Sequence, residues 1–281
     1  MSDVEPGWFR RVEGGLLAPQ ALATSLWSDA QMHGVAVSGL LSLTIEEHVA
    51  RLDRSDLVPV RYHVDLYRPA GTVASRGRAS VVRSSSRLLL VDAVMEQDGD
   101  PVARASALFL RTGEPPAGEL WVAPQRAAAP PADVVPTDGE HHIPFFASDQ
   151  PWSQNFSEHQ NAGRHATWQT AMPVIVGETP TPFQAAASIA DATSMVTNWG
   201  SGGIGYINTD IDLTLCRLPD STTLGIRATD HVAARGLSVG TAEVFDRTGP
   251  LGTATVTAMS NARRTVDLDG PTPPIYAPDR V

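Results

Sequence analysis

Residues 181–200 read TPFQAAASIADATSMVTNWG. The run is entered through Pro182 and stops at Gly200, and its spacing predicts one helix from Phe183 to Trp199. Ala185, Ala186, Ala187, Ala190 and Ala192 leave little side chain on any face. A helix that is apolar or small all round is a buried helix, and small residues let a sheet wrap closely around it. Asp191 interrupts this pattern, well off the stripe of Ile189, Ala192, Val196 and Trp199. A lone Asp in a helix ordinarily faces solvent. Held instead among Ala, Ile and Met, its carboxylate is desolvated, which raises its pKa toward the range useful for a base.

Working outward from this helix, the chain repeats itself. VDLYRPAG at 64–71 resembles LTLCRLPD at 213–220, with Arg68 matching Arg217. DGDPVARASALFLR at 98–111 resembles TGPLGTATVTAMSN at 248–261, with Gly99 and Gly249 in the opening turns. The offsets are 149 and 150 residues. Between these marks lie SRGRASVVR and RLLLVDAVMEQ in the first half, TTLGIRATDHV and GLSVGTAEVFD in the second. Alternating Val, Leu, Ala and Thr with polar turns predicts a long antiparallel meander in each half. A helix over His33–Leu52 precedes the first meander, as the Asp191 helix precedes the second. The expected fold is therefore α+β: two repeats, each a long central helix wrapped by a bent antiparallel sheet, joined edge to edge. The first repeat spans residues 1–111 and the second 146–266. Residues 112–145 form a Pro/Ala-rich linker over the surface, and 267–281 a loose Pro-rich tail.

Bulk composition narrows the function. With 281 residues and 42% hydrophobic content the chain builds its own core. A net charge of −10 argues against a coat for nucleic acid or an anionic membrane, though not against a small anionic ligand held by local arginines. Cys216 is the single cysteine, so no intrachain disulfide forms and a reducing compartment fits. MSDVEPGWFRR has no apolar h-region, and no apolar run reaches about eighteen residues, so neither a secretory signal nor a membrane span is expected. A cytoplasmic setting follows. Bent sheets with exposed edges make a homo-oligomer an open expectation.

The order of pieces over both halves resembles the thioesterase-like superfamily of double hotdog acyl-CoA thioesterases, particularly the actinobacterial type. The pieces are Leu17-Ala18-Pro19, Trp27, His33-Gly34 with the helix after it, VPVRYHVDLYRP and PVARASALFLR, then Trp168, the Asp191 helix and YINTDIDLTLCRLP. The resemblance spans roughly Leu16 to Arg263, the linker excepted. It implies hydrolysis of acyl-CoA to free acid and coenzyme A, with no metal and no organic cofactor. It also implies that an Asp on the second-half helix, a Thr or Asn on the next strand and a Gln on the last strand hold a water against the thioester. The Asp falls on Asp191. Counting back from Arg217 puts the strand residue on Asn208, with Thr209 its neighbour in the other register. Counting from the Gly249 turn puts the Gln position on Thr257, and counting from Arg263 puts it on Ala258; neither is Gln.

Thioester hydrolysis needs a positioned water, a base and donors for the oxyanion. The catalytic candidates are Asp191 as base, Asn208 to orient the water and Thr257 to add a hydroxyl contact. Oxyanion donors would be backbone N–H groups near a helix start or in SGGIGYIN, which makes Gly202 and Gly203 substrate-binding candidates with Thr209 and His33. His33 also reads as a helix-start residue. Arg68 and Arg217 are either surface pairs or holders of coenzyme A phosphates. Gly200, Gly202 and Gly205 spell GxGxxG, but after a helix and before a strand, the reverse of a dinucleotide site. His141-His142 lacks further ligands at metal spacing, and Ser38 lacks the first glycine of a nucleophile elbow. Two rival functions stay open: a non-catalytic acyl-CoA or lipid-binding module, and a hotdog enoyl-CoA hydratase, which needs a His that DATSMVTNW does not supply.

Overall fold

The computed structural model describes residues 5–270. A hairpin of β1 (Phe9–Val12) and β2 (Leu16–Pro19) leads to α1 (Gly34–Ala50). The first meander follows: β3 (Val58–Asp65), β4 (Arg76–Ser84), β5 (Leu88–Gln97) and β6 (Asp100–Leu110). Gly99, at φ +88°, closes the turn from β5 to β6, a left-handed conformation that glycine adopts without Cβ strain. After the linker come β7 (Phe145–Ala147) and β8 (Ala166–Thr170), then α2 (Pro182–Ile189) and α3 (Ala192–Asn198). A small hairpin of β9 (Trp199–Gly200) and β10 (Gly203–Ile204) precedes β11 (Tyr206–Asn208). The second meander is β12 (Asp210–Leu215), β13 (Thr223–Ala234), β14 (Leu237–Asp246) and β15 (Gly249–Ser260).

One sheet unites the halves, in the order β4-β5-β6-β3-β12-β15-β14-β13-β8-β7, with β11 also pairing with β15. The first half reads 4-5-6-3 and the second 13-14-15-12, so the repeat in sequence is a repeat in topology. The halves join through β3 and β12, antiparallel, from Asp210 opposite Asp65 to Thr214 opposite Arg61. This seam satisfies two strand edges that would otherwise be open. Inner-face side chains such as Tyr62, Val64, Leu89, Val91, Ile226, Val244 and Val256 are fully buried. The helices cross on this concave face. Ser38 Oγ–H donates to the carbonyl of Ala187 at 2.6 Å, and Tyr62 Oη–H donates to the carbonyl of Ser38 at 2.8 Å. Ser38 thus belongs to a helix–helix contact.

The expected single helix over Phe183–Trp199 is two. Thr181 caps the first, its Oγ1 accepting from the Gln184 N–H, with Pro182 in the first turn. At Ala190–Asp191 the backbone tightens into three-residue bonds: Asp191 N–H to Ser188 O, Thr193 N–H to Ala190 O, Ser194 N–H to Asp191 O. Trp199 and Gly200 then leave the helix as a strand. Asp, Thr and Ser are weak helix formers, and the break turns the Asp191 carboxylate toward α1. Among the described residues only α1 is a long helix, three residues shorter than its expected span of His33–Leu52.

The linker is more closely packed than a surface crossing requires. Ala127 and Val135 are buried against Trp168 and Phe245 on the outer face of β8 and β14. Glu243 accepts from the Ala127 N–H and pairs with Arg126. Leu120, Trp121 and Val122 remain exposed. The start of the expected loose tail is pinned: Leu268 is buried with Phe146, Phe156 and Trp199. Residues 271–281 of that tail lie outside the described residues. Among the described residues no helix is long and apolar enough to cross a membrane.

Candidate active site

His33 starts α1 as its cap. Its Nδ1 accepts from the Ala36 N–H at 3.2 Å and its Nε2–H donates to the Leu22 carbonyl at 3.0 Å. Burial pushes its pKa down to about 4, only partly opposed by the Leu22 contact. The ring is therefore a neutral Nε2–H tautomer. It lines the cavity described below, with both nitrogens engaged.

The turn that His33 caps receives Asp191. The carboxylate lies directly on the Cα of Gly34, where any Cβ would collide with it. This close approach is the physical requirement for glycine after His33. The Val35 N–H and the Asn208 Nδ2–H, the latter at 2.9 Å, both act on the carboxylate. Asn208 also donates to the Asp210 carbonyl at 3.3 Å, which fixes its amide. Desolvation dominates, and the Asn208 and Val35 hydrogen bonds offset only part of it, so the Asp191 pKa rises to about 6.

Asp191 stands at the wall of a cavity of about 940 Å³. The seam between the halves explains the opening. Beyond Asp65 and Asp210 one further bond, Leu66 N–H to Thr209 O at 2.8 Å, holds β3 to the second half. Past it the chains part, with Leu66, Tyr67 and Arg68 on one side and Ile207, Asn208 and Thr209 on the other. One end of the cavity is apolar, walled by Leu26, Trp27, Phe146, Met195 and Ile204. The other carries charge from Asp65, Arg68, Arg104 and Asp210.

The expected residues separate at this point. Asn208 meets Asp191. Thr209 lines the cavity where β11 gives way to β12, its N–H and Oγ1–H both donating to the Thr257 carbonyl. Thr257 does not join them. In register, Asn208 faces Ala258, so the inner-face position is Ala258 and the Thr257 side chain is exposed on the outer face. A strand alternates faces, and the one-residue difference between the two counts decides the matter. Gly202 and Gly203 also fall outside the cavity wall: Gly202 is exposed at the β9–β10 turn, and Gly203, at φ +84°, packs against the Val266 carbonyl. Of that loop, Ile204 lines the cavity. Arg68 stands at the rim, held to Asp100 at 3.1 Å. Arg217 is elsewhere, forked onto the buried Asp246 at 2.7 and 2.8 Å, which holds that carboxyl well below its ordinary range. His141 and His142 turn apart, to the Thr170 carbonyl and to Asp138. The sequence reading quoted Gly34 with His33 but gave it no role at the site, and it passed over Val35 and Gln169. Val35 stood beside that pair. Gln169 stood beside Trp168.

Comparison with known proteins places this architecture. The sequence matches the model of the acyl-CoA thioesterase N-terminal domain over residues 23–110 and that of the acyl-CoA thioesterase C-terminal domain over 124–260. No curated protein matches it. Among solved structures, the tesB protein of Mycobacterium avium subsp. paratuberculosis is similar at 15% identity and a TM-score of 0.62, over 90% of this chain and 95% of that one. An acyl-CoA thioesterase II from Mycobacterium marinum gives 12% and 0.60, over 90% and 95%. A hot dog fold protein of unknown function from Alicyclobacillus acidocaldarius gives 19% and 0.59, over 89% and 94%. At these identities the likeness is one of fold. With both halves matched by their own domain models, in order, on a double hotdog sheet, the chain belongs to the acyl-CoA thioesterase family.

Proposed function

We propose that this protein hydrolyses acyl-CoA thioesters to free acid and coenzyme A, with Asp191 as the base. The observation that carries the reading is the Asp191 carboxylate, desolvated to a pKa of about 6, seated on the first turn of α1 at the wall of a half-apolar cavity. A base with that pKa is mostly ionised at neutral pH yet basic enough to take a proton from water.

The water oxygen bonds to the thioester carbon while Asp191 takes one of its protons. The carbonyl becomes an oxyanion, and we assign its stabilisation to the Gly34 N–H at the start of α1, the turn that holds Asp191. This takes the helix start over the SGGIGYIN loop. Collapse of the adduct breaks the carbon–sulfur bond, and the leaving thiolate takes the proton from Asp191. General-base help is worth about 10²–10⁴-fold and one oxyanion donor about 10²–10³-fold. The acyl chain lies toward Trp27, Phe146 and Met195, and Arg68 and Arg104 at the other end face the phosphates of coenzyme A. No metal or organic cofactor enters this scheme, and the reducing cytoplasm inferred from composition is its setting.

The test is free-thiol release from acyl-CoAs of graded chain length by wild type and Asp191→Ala. Release that collapses in the variant supports the reading. Binding of acyl-CoA with no release by wild type refutes it in favour of a non-catalytic binding module. A change in absorbance of an unsaturated acyl-CoA without thiol release would indicate a hydratase. The engaged nitrogens of His33 speak against that chemistry.

A further inference from the structure

Strand β8 alternates. Trp168 points outward, against Phe245 and under the linker residues Ala127 and Val135. Thr167 and Gln169 therefore point inward, toward the helices. Thr167 is fully buried, and Gln169 reaches the wall of the large cavity. The Gln169 carboxamide makes one contact with a protein side chain, Nε2 to Thr167 Oγ1 at 3.5 Å, the outer limit of a hydrogen bond. Among the described residues its oxygen has no such partner.

A second cavity, of about 50 Å³, adjoins the first behind α1's opening turn. The two share His33, Val35, Pro144 and Gln169. Val35 supplies one N–H to Asp191, so Gln169 shares both cavity walls with the helix turn that holds the carboxylate. The small cavity is lined by Trp8 and Ser188, whose Nε1 and Oγ are buried without a protein partner. A space of this size with two polar atoms of this kind suits one or two ordered waters.

Resting on the hydrolase reading above, we propose that Gln169 is a further catalytic residue. Its amide is anchored from the small cavity through water on Trp8 and Ser188, and its oxygen accepts a hydrogen bond from the second O–H of the attacking water beside Asp191. The stoichiometry of that water supports the assignment. Water carries two O–H donors; Asp191 takes one proton, and a fixed acceptor for the other turns a lone pair toward the thioester carbon. Asn208 spends its Nδ2 hydrogens on Asp191 and the Asp210 carbonyl, which leaves its Oδ1 as the rival acceptor; Ala258 brings no polar atom, and both nitrogens of His33 are engaged.

Gln169→Leu keeps the bulk and removes the amide. It is expected to lower kcat for acyl-CoA about 10- to 100-fold with KM within twofold, unchanged affinity for a non-hydrolysable acyl-CoA thioether, and an unchanged Tm. Gln169→Glu restores an acceptor but adds a negative charge beside Asp191, so the acid limb of its kcat–pH profile moves above that of wild type. A merely structural Gln169 would lower Tm in Gln169→Leu without that selective loss of kcat. Wild-type kcat in Gln169→Leu, with Asp191→Ala inactive, overturns this inference alone. Absence of thiol release by wild type overturns the hydrolase reading and this inference with it.

Discussion

Asp191→Asn tests the desolvated carboxylate through stability and activity together. The folded chain raises the Asp191 pKa from 3.8 to about 6, so it favours the protonated form. Stability from this group is full below the unfolded value near 4 and is lost as pH rises through about 6. The difference corresponds to about 3 kcal/mol, at about 1.4 kcal/mol per decade. Asp191 is half-buried at the cavity wall, and water in the cavity screens it, so about 1–2 kcal/mol is the expected effect. Asparagine resembles the protonated acid and can still accept from Asn208 and Val35. The variant should therefore match wild type near pH 4 and exceed it by about 1–2 kcal/mol at pH 7.5, a rise in Tm of about 2–8 °C. Urea denaturation at both pH values measures the first, and calorimetry the second. The same variant should lose about 10²–10⁴-fold in kcat at pH 7.5, and wild-type kcat should show an acid limb near pH 6. An Asp191→Asn protein destabilised equally at both pH values would refute desolvation as the dominant cause. A stabilised variant that retains wild-type kcat would refute the role of base.

Three further perturbations follow from the site and the seam. Gly34→Ala places a methyl group on the Asp191 carboxylate; kcat should fall about 100-fold with the circular dichroism of the wild type, since small misplacements of a reacting group are costly. Arg68→Ala should raise KM for acyl-CoA about fivefold and leave KM for the corresponding acyl-pantetheine, which lacks the phosphates, unchanged in the same thiol-release assay. His63 on β3 lies between Asp212 at 2.8 Å and Asp65 at 3.3 Å; burial opposes its charge, but the two carboxylates prevail and its pKa is raised. His63→Gln should lose under about 1 kcal/mol below pH 6, and the loss should vanish as pH rises past the folded pKa, read from denaturation midpoints.

The doubled architecture is written in local chemistry, and so it was legible without coordinates. Alanines around Asp191 demand burial, a property of composition on one segment. Alternation in RLLLVDAVMEQ and GLSVGTAEVFD sets a strand and its faces. The match of Arg68 to Arg217 and of Gly99 to Gly249 needs only counting. The site needed more. Whether Thr257 or Ala258 faces Asp191 depends on which residue of β15 stands opposite Asn208, and one residue of register exchanges the inner face for the outer. The break at Asp191 falls among the weak helix formers Asp191, Thr193 and Ser194, but only packing puts its carboxylate on α1, more than 150 residues earlier in the chain. Gly34 was legible only as part of the His33-Gly34 pair, without a role, and Gln169 carries no local signal at all. Their significance comes from a neighbour that only the packed fold supplies: a carboxylate where a Cβ would otherwise stand, and two cavities that meet at one amide. Sequence determined the elements and their faces because those follow from short-range sterics and hydrophobicity. Tertiary structure decided the chemistry because a desolvated base and its partners are gathered from four distant segments, and their spacing exists only once the sheet has closed around the helices.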